Sequence, residues 1–251
     1  MERFSHAEIE INTQCDCKCF ACDRFLDVSQ DAPMSLDQIK YFISESVELD
    51  WPWERFHILG GEPTLHPQLR EIIECLVKYK QDHRPKMILR VISNGLGNLS
   101  KHRKWILERG VEVNVEGKSR TSDPNWFRNI RMAPIDDPNY RGQTEFPACS
   151  IFGIKACGIG VTRRGFYLCG AGAGVARMMG IPGVLHLKDL TYEAMLDQAK
   201  ILCGICGHWN SGERSYNLVK LTGKRSSPTW EKLIKDHLQG GQATLPLYGA
   251  D

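Results

Sequence analysis

Cys15-Asp16-Cys17-Lys18-Cys19-Phe20-Ala21-Cys22 holds a C-x-x-x-C-x-x-C pattern formed by Cys15, Cys19 and Cys22. Thiolates this close together are ligands rather than packing groups, and soft sulfur donors suit the irons of a 4Fe-4S cluster. Such clusters usually take four cysteines, so a set of three leaves one iron open to a small molecule. The competing use is structural zinc, which wants four ligands, with Cys17 as the available fourth sulfur. Working outward, Glu8-Ile9-Glu10-Ile11-Asn12 alternates polar and apolar residues and reads as a strand. The cysteines therefore follow the C-terminal end of a first strand, where barrel-type folds place their chemistry.

Further along, Ser35-Leu36-Asp37-Gln38 is a helix start of capping-box type, with Ile39, Phe42, Ile43 and Val47 following at helical spacing. Phe56 to Leu59 is a second strand, and it runs into Gly60-Gly61-Glu62-Pro63. Pro67 opens a helix with Leu69, Ile72, Ile73, Leu76 and Val77 on one face, and Cys75 within it reads as a small structural thiol. Met87 to Ile92 is a third strand ending in Ser93-Asn94-Gly95. A helix over Ser100 to Glu108, closed by Gly110, leads to a fourth strand, Val111 to Val115. This β-α-β-α-β-α-β series implies a parallel sheet. The pattern then lapses: residues 117–147 contain Pro124, Pro134, Pro138 and Pro147, and only Phe127 to Met132 looks strand-like. A long irregular stretch of this kind suits an active-site wall.

These motifs resemble the radical S-adenosylmethionine family. Cys15, Cys19 and Cys22 match its cluster-binding triplet, Gly60-Gly61-Glu62 its element at the end of the second strand, and Ser93-Asn94 its element at the end of the third. The resemblance implies a shortened TIM-type β/α barrel over residues 1–146, a 4Fe-4S cluster and bound S-adenosylmethionine. It also implies that Gly60, Gly61 and Glu62 receive the amino group of the methionine moiety, with Ser93 and Asn94 near its ribose and carboxylate. The family places an aromatic residue just before the third cysteine; here Ala21 stands there and Phe20 one place earlier, so Phe20 is the expected adenine contact. His66, after the same strand-to-helix loop, reads as structural. Cys17 has no family counterpart and reads as a packed thiol.

The C-terminal cysteines resemble the family's auxiliary-cluster appendage, called a twitch or SPASM-like domain, expected over 147–240 with a loose tail at 241–251. Gly158 to Thr162 and Phe166 to Leu168 flank Arg163-Arg164-Gly165 as a β-hairpin, with glycine supplying the turn's positive φ. Thr191 to Leu202 is helical and runs into Cys203-Gly204-Ile205-Cys206; Thr229 to Leu238 closes the chain as a helix. Cys157, Cys169, Cys203 and Cys206 are expected to hold a second 4Fe-4S cluster, with Cys149 competing for the place of Cys157 and zinc as the alternative metal.

The 251 residues suit one large domain, or one domain with an appendage. A hydrophobic share of 42%, a charged share of 25% and a formal net charge of +2 describe a globular chain with no electrostatic case for nucleic acid or membrane. Met1 to His6 lacks the apolar core of a signal peptide. A cytoplasmic location is expected, where 10 cysteines favour metal over disulfides. The family resemblance implies a reductant such as flavodoxin or ferredoxin and a small-molecule substrate. Size and cysteine layout favour sugar-like alcohol oxidation, with modification of a ribosomally made peptide as the runner-up. A non-enzymatic iron-sulfur or zinc protein is the reading from another class.

Overall fold

The structure is a computed structural model that describes residues 3–17, 19, 22–116, 130–138, 158–208, 226–240 and 245–249. Its strands are β1 (His6–Asn12), β2 (Arg55–Gly60), β3 (Ile88–Ser93), β4 (Glu112–Val115), β5 (Ile159–Thr162) and β6 (Gly165–Tyr167). Its helices are α1 (Leu36–Glu48), α2 (Leu69–His83), α3 (Leu99–Glu108), α4 (Gly170–Met179), α5 (Tyr192–Leu202) and α6 (Pro228–Gly240). Among the described residues no helix is long and apolar enough to cross a membrane.

Ala7, Ile9 and Ile11 alternate with Glu8, Glu10 and Asn12, so β1 has one apolar and one polar face. Parallel pairing in register extends both faces. Ile9 lies opposite Ile58 and Glu8 opposite His57, while His57 in turn lies opposite Arg90 and Arg90 opposite Glu112. The apolar face packs on the helices: Phe42 of α1 meets Phe56 of β2 at 5.4 Å between ring centroids and Phe166 of β6 at 6.1 Å. The capping box that starts α1 is present, with Ser35 and Gln38 bonding each other's backbone N–H groups. The expected order of strands and helices through β4 is thus present, and α3 begins at Leu99, one residue earlier than the sequence pattern suggested.

The sheet has the order β4-β3-β2-β1-β5-β6 and is open, with β4 and β6 at its edges. Among the described residues the sheet does not close, as expected of a partial TIM-type β/α barrel. The hairpin forms as anticipated, with Thr162 opposite Gly165, whose φ is 105°. β5 also pairs in parallel with β1, so the hairpin continues the main sheet. Of the strand-like stretch 127–132, the described part does not form a strand; Ile130 and Arg131 are a turn.

Two features depart from the sequence pattern. Gly170-Ala171-Gly172-Ala173-Gly174 is helical, and α4 lies against the polar face of β1 and β5. Gly160, in register with Glu8, leaves room for the backbone of Cys169 and Gly170. A side chain at Gly170 would strike the Arg24 guanidinium and the Glu8 carboxylate. The tail expected to be loose is anchored over residues 245–249: Tyr248 is fully buried and its hydroxyl donates to Glu45 Oε2 at 2.5 Å.

Candidate functional site

The site grows from the C-terminal ends of three neighbouring strands. β1 carries a register shift between Glu10 and Asn12, a bulge of the kind often found beside functional sites. Beyond it the chain stays tied to the end of β2. Gly61 N–H donates to Asn12 O at 2.8 Å, Glu62 N–H to Gln14 O at 2.7 Å, and Asn12 Nδ2 to Glu62 O at 2.9 Å. The two glycines are required by this contact. Gly60 has φ 152°, and a Cβ there would strike Asn12 O, while one at Gly61 would strike Gln14 O. Their missing side chains thus admit the neighbouring backbone, and Gly61 sets the end of β2 directly against Cys15.

Glu62 is fully buried. Its Oε1 accepts from Thr64 N at 3.1 Å, Thr64 Oγ1 at 2.6 Å and Ser93 Oγ at 2.9 Å, and its Oε2 accepts from Asn94 N at 2.8 Å and Ser93 Oγ at 3.1 Å. The carboxylate therefore stitches the end of β2 to the end of β3. Asn94, itself buried, reaches the cysteine loop: its Nδ2 donates to Asp16 Oδ1 at 2.7 Å and lies 3.9 Å from Cys15 Sγ. Ser93 and Asn94, Gly60, Gly61 and Glu62 are thus brought together with Cys15. Phe20 and Ala21 lie outside the described residues.

Burial pushes the Cys22 thiol up to about 11, with the charges of Asp23 and Cys19 adding to it. Burial also raises Cys15; the Cys17 N–H and Asn94 oppose this, while the charges of Asp16 and Cys19 reinforce it. Cys19 thus acts on both other cysteines of the triplet. A bound metal deprotonates such thiols outright. The Cys17 N–H, 3.4 Å from Cys15 Sγ, and the Asn94 amide, 3.9 Å from it, make N–H···S contacts to Cys15. Among the described residues, the group whose ligand atoms all lie within 4.8 Å of one another is Cys15, Asp16 and Cys17.

His66 is structural: Nδ1 accepts from Gln68 N–H at 3.0 Å, which leaves Nε2 to face Met34 O at 3.0 Å. Cys75 is partly buried and packs against the core. Cys169 is the N-cap of α4, its sulfur accepting from Gly172 N–H at 3.2 Å. Cys203 and Cys206 flank a loop clamped from two sides: Ile135 N–H donates to Gly204 O, Gly207 N–H to Ile130 O, and Trp230 Nε1 to Ile205 O. Cys149 and Cys157 lie outside the described residues.

Sequence reasoning missed the buried charges beneath the site. Arg24 pairs with Glu8 and Arg177 with Glu10, each at 2.5 Å, and Arg177 Nη2 also donates to Arg24 O. The signal was available in the alternating acids of β1, which a parallel sheet with both faces covered does not leave to solvent. It also missed Thr64 and Asp16, whose importance depends on bonds to residues distant in the chain.

No protein-family description matches the chain, and no curated protein matches it. Among solved structures it is similar to the crystal structure of BtrN in complex with AdoMet and 2-DOIA. The identity is 18% and the TM-score 0.49, over 88% of this chain and 87% of that one. It is also similar to selenomethionine BtrN in an open conformation, with 17% identity and a TM-score of 0.49 over 82% of this chain and 89% of that one.

Proposed function

We propose that the chain is a radical S-adenosylmethionine enzyme that oxidises a small polar, sugar-like metabolite. The observation that carries this reading is the junction of the three strand ends, where Glu62 ties β2 to Ser93 and Asn94 of β3, and Asn94 reaches Asp16 and Cys15. Motifs dispersed in the sequence meet at one place beside Cys15, the first of the three cysteines. When bound, the cofactors supply the radical that takes a hydrogen atom from the substrate and an acceptor for the electron left behind.

On this reading Cys15, Cys19 and Cys22 hold the 4Fe-4S cluster, and the Cys17 N–H and the Asn94 amide orient the Cys15 sulfur. Cys169, Cys203 and Cys206, with Cys157 (or Cys149 in its place), hold a second cluster, and the net reaction is a two-electron oxidation. The polar face of the sheet carries His57 on β2, Arg90, paired with Glu112, on β3 and Asn114 on β4, groups whose chemistry suits a substrate rich in hydroxyl or amino groups.

Anaerobically reconstituted protein is expected to hold iron and acid-labile sulfide for two clusters, and to convert S-adenosylmethionine to 5'-deoxyadenosine on reduction. Combined Cys15→Ala, Cys19→Ala and Cys22→Ala substitution abolishes that conversion, whereas Cys17→Ala retains it. With the true substrate, one S-adenosylmethionine is consumed per oxidised product; a redox-neutral product would refute the oxidase assignment. A second reading, a single zinc ion, is favoured by the tight grouping of Cys15, Asp16 and Cys17. It requires zinc without sulfide and loss of the metal in Cys17→Ala.

A further inference from the structure

We infer that Phe25 is a positioning residue for the first cysteine triplet: its left-handed backbone aims two N–H groups at the Cys22 sulfur, and Trp230 of α6 holds it there. This rests on the reading that Cys22 ligates a 4Fe-4S cluster.

The first observation is the backbone after Cys22. Phe25 has φ 56°, a positive value in a residue other than glycine. Bulky side chains rarely adopt that region, and they stay in it only where the surroundings over-determine it. Phe25 is pinned at both ends. Its N–H donates to Cys22 O at 3.0 Å, and its carbonyl accepts from Val28 N–H at 3.1 Å and Ser29 N–H at 2.8 Å. The residues on either side of it, Leu26 and Arg24, present their backbone N–H groups to the Cys22 sulfur. Burial, the largest influence on Cys22, disfavours the thiolate, and these two N–H groups oppose it. N–H groups gathered by a left-handed residue form a concavity for an anion, a device used at iron-sulfur sites.

The second observation is what holds the turn. The Phe25 ring is fully buried. It stacks on Trp230 at 4.4 Å between centroids and 20° between planes. A Cβ built at Gly174 would lie 3.0 Å from Phe25 Cδ2, so α4 closes on the same ring. Trp230 is also fully buried, and its Nε1 donates to Ile205 O at 2.9 Å, which fixes the indole. Returning Phe25 to the ordinary right-handed region would turn its ring out of this slot. Trp230 therefore acts on the cysteine loop through Phe25. The consequence is electrochemical: N–H···S bonds favour the more negatively charged, reduced cluster and raise its potential.

The test uses the full chain, anaerobically loaded. Its readouts are iron and sulfide content, thermal midpoint and the potential of the cluster whose electron paramagnetic resonance signal responds to S-adenosylmethionine. Phe25→Gly and Phe25→Val both delete the ring and its stacking, and both are expected to lower the thermal midpoint. Glycine retains the left-handed backbone without steric cost, whereas a β-branched residue does not. Phe25→Gly is therefore expected to keep the potential of the unsubstituted protein. Phe25→Val is expected to lower the reduction constant roughly tenfold, about 59 mV for one electron, through loss of one donor. Packing alone would move the two variants together. Should Phe25→Val hold no cluster, Trp230→Leu, which leaves Phe25 without its stacking partner, is compared with Trp230→Phe, which retains an aromatic face. The lowered potential or the loss of the cluster is then expected in Trp230→Leu alone. Equal potentials in Phe25→Gly and Phe25→Val would overturn the inference, as would equal potentials or equal cluster loss in the two Trp230 variants. An unsubstituted, loaded chain without a cluster that responds to S-adenosylmethionine would instead refute the cofactor reading itself.

Discussion

His57 stands on the polar face of β2, opposite Glu8 on one side and Arg90 on the other, and its Nε2 is buried without a hydrogen-bond partner among the described residues. Burial, followed by the positive charges of Arg55 and Arg90, lowers its pKa to about 4. The imidazole is therefore neutral at physiological pH and suited to accept or donate a hydrogen bond without carrying charge. The sign of the linkage follows from the depressed value. The unfolded chain takes up the proton first, so the contribution to stability is complete above the unfolded pKa of about 6.5 and is lost as pH falls toward 4. The loss is expected to reach roughly 2–3 kcal/mol. Urea unfolding between pH 7 and pH 4.5 measures it. The difference in slope between the unsubstituted chain and His57→Gln isolates the histidine from titrating carboxylates, and identical slopes would show that this imidazole contributes nothing.

At the scale of an element, α4 shows tertiary packing overriding helix propensity. Glycine is a poor helix former, and Gly170, Gly172 and Gly174 together argue against a helix on local grounds. Gly170 and Gly174, one turn apart, lie against Glu8 and Arg24 and against Asp23, Arg24 and Phe25, while Cys169 and Thr162 hold neighbouring caps and turns. The absent side chains bring the helix backbone onto the buried ion pairs. Gly170→Ala is therefore expected to destabilise by about 1–3 kcal/mol or more through overpacking. Gly240→Ala, at the end of α6 with nothing near a new Cβ among the described residues, is expected to be neutral or stabilising by up to about 1 kcal/mol. Opposite signs in denaturant unfolding are the check; a stabilising effect at Gly170 would mean that α4 does not sit against Arg24.

For the whole molecule, the short segment 245–249 joins parts that the sheet alone leaves separate. Tyr248 N–H donates to Arg163 O, its carbonyl accepts from Gln38 Nε2 at 2.8 Å, and Arg164 donates to Leu245 O. Its ring meets the edges of Tyr41 and Phe166, each at 5.1 Å between centroids. The segment thus ties α1 to the β5–β6 turn. Tyr248→Ala is expected to cost about 3–5 kcal/mol, as loss of a fully buried aromatic does. Tyr248→Phe, which deletes only the bond to Glu45, is expected to cost about 1–3 kcal/mol. Thermal unfolding of both variants distinguishes this anchor from a loose tail, for which neither substitution would register.

The sequence by itself determined the period of the elements and the order of the strand-end motifs, because alternation, capping boxes and the Gly-Gly-Glu and Ser-Asn-Gly turns are local. Ser35 and Gln38 cap α1 as their spacing requires, and Thr162 faces Gly165 as the turn glycine requires. Only the tertiary structure decided which polar residues lie inside. Glu8 and Glu10 look like a solvent face until Arg24 and Arg177 cover them, and Glu62 looks like an available acceptor until Thr64, Ser93 and Asn94 saturate it. The reason is physical: a strand's period reports that two faces differ, but what lies against each face depends on partners from distant parts of the chain. Desolvation and hydrogen-bond capacity are set there.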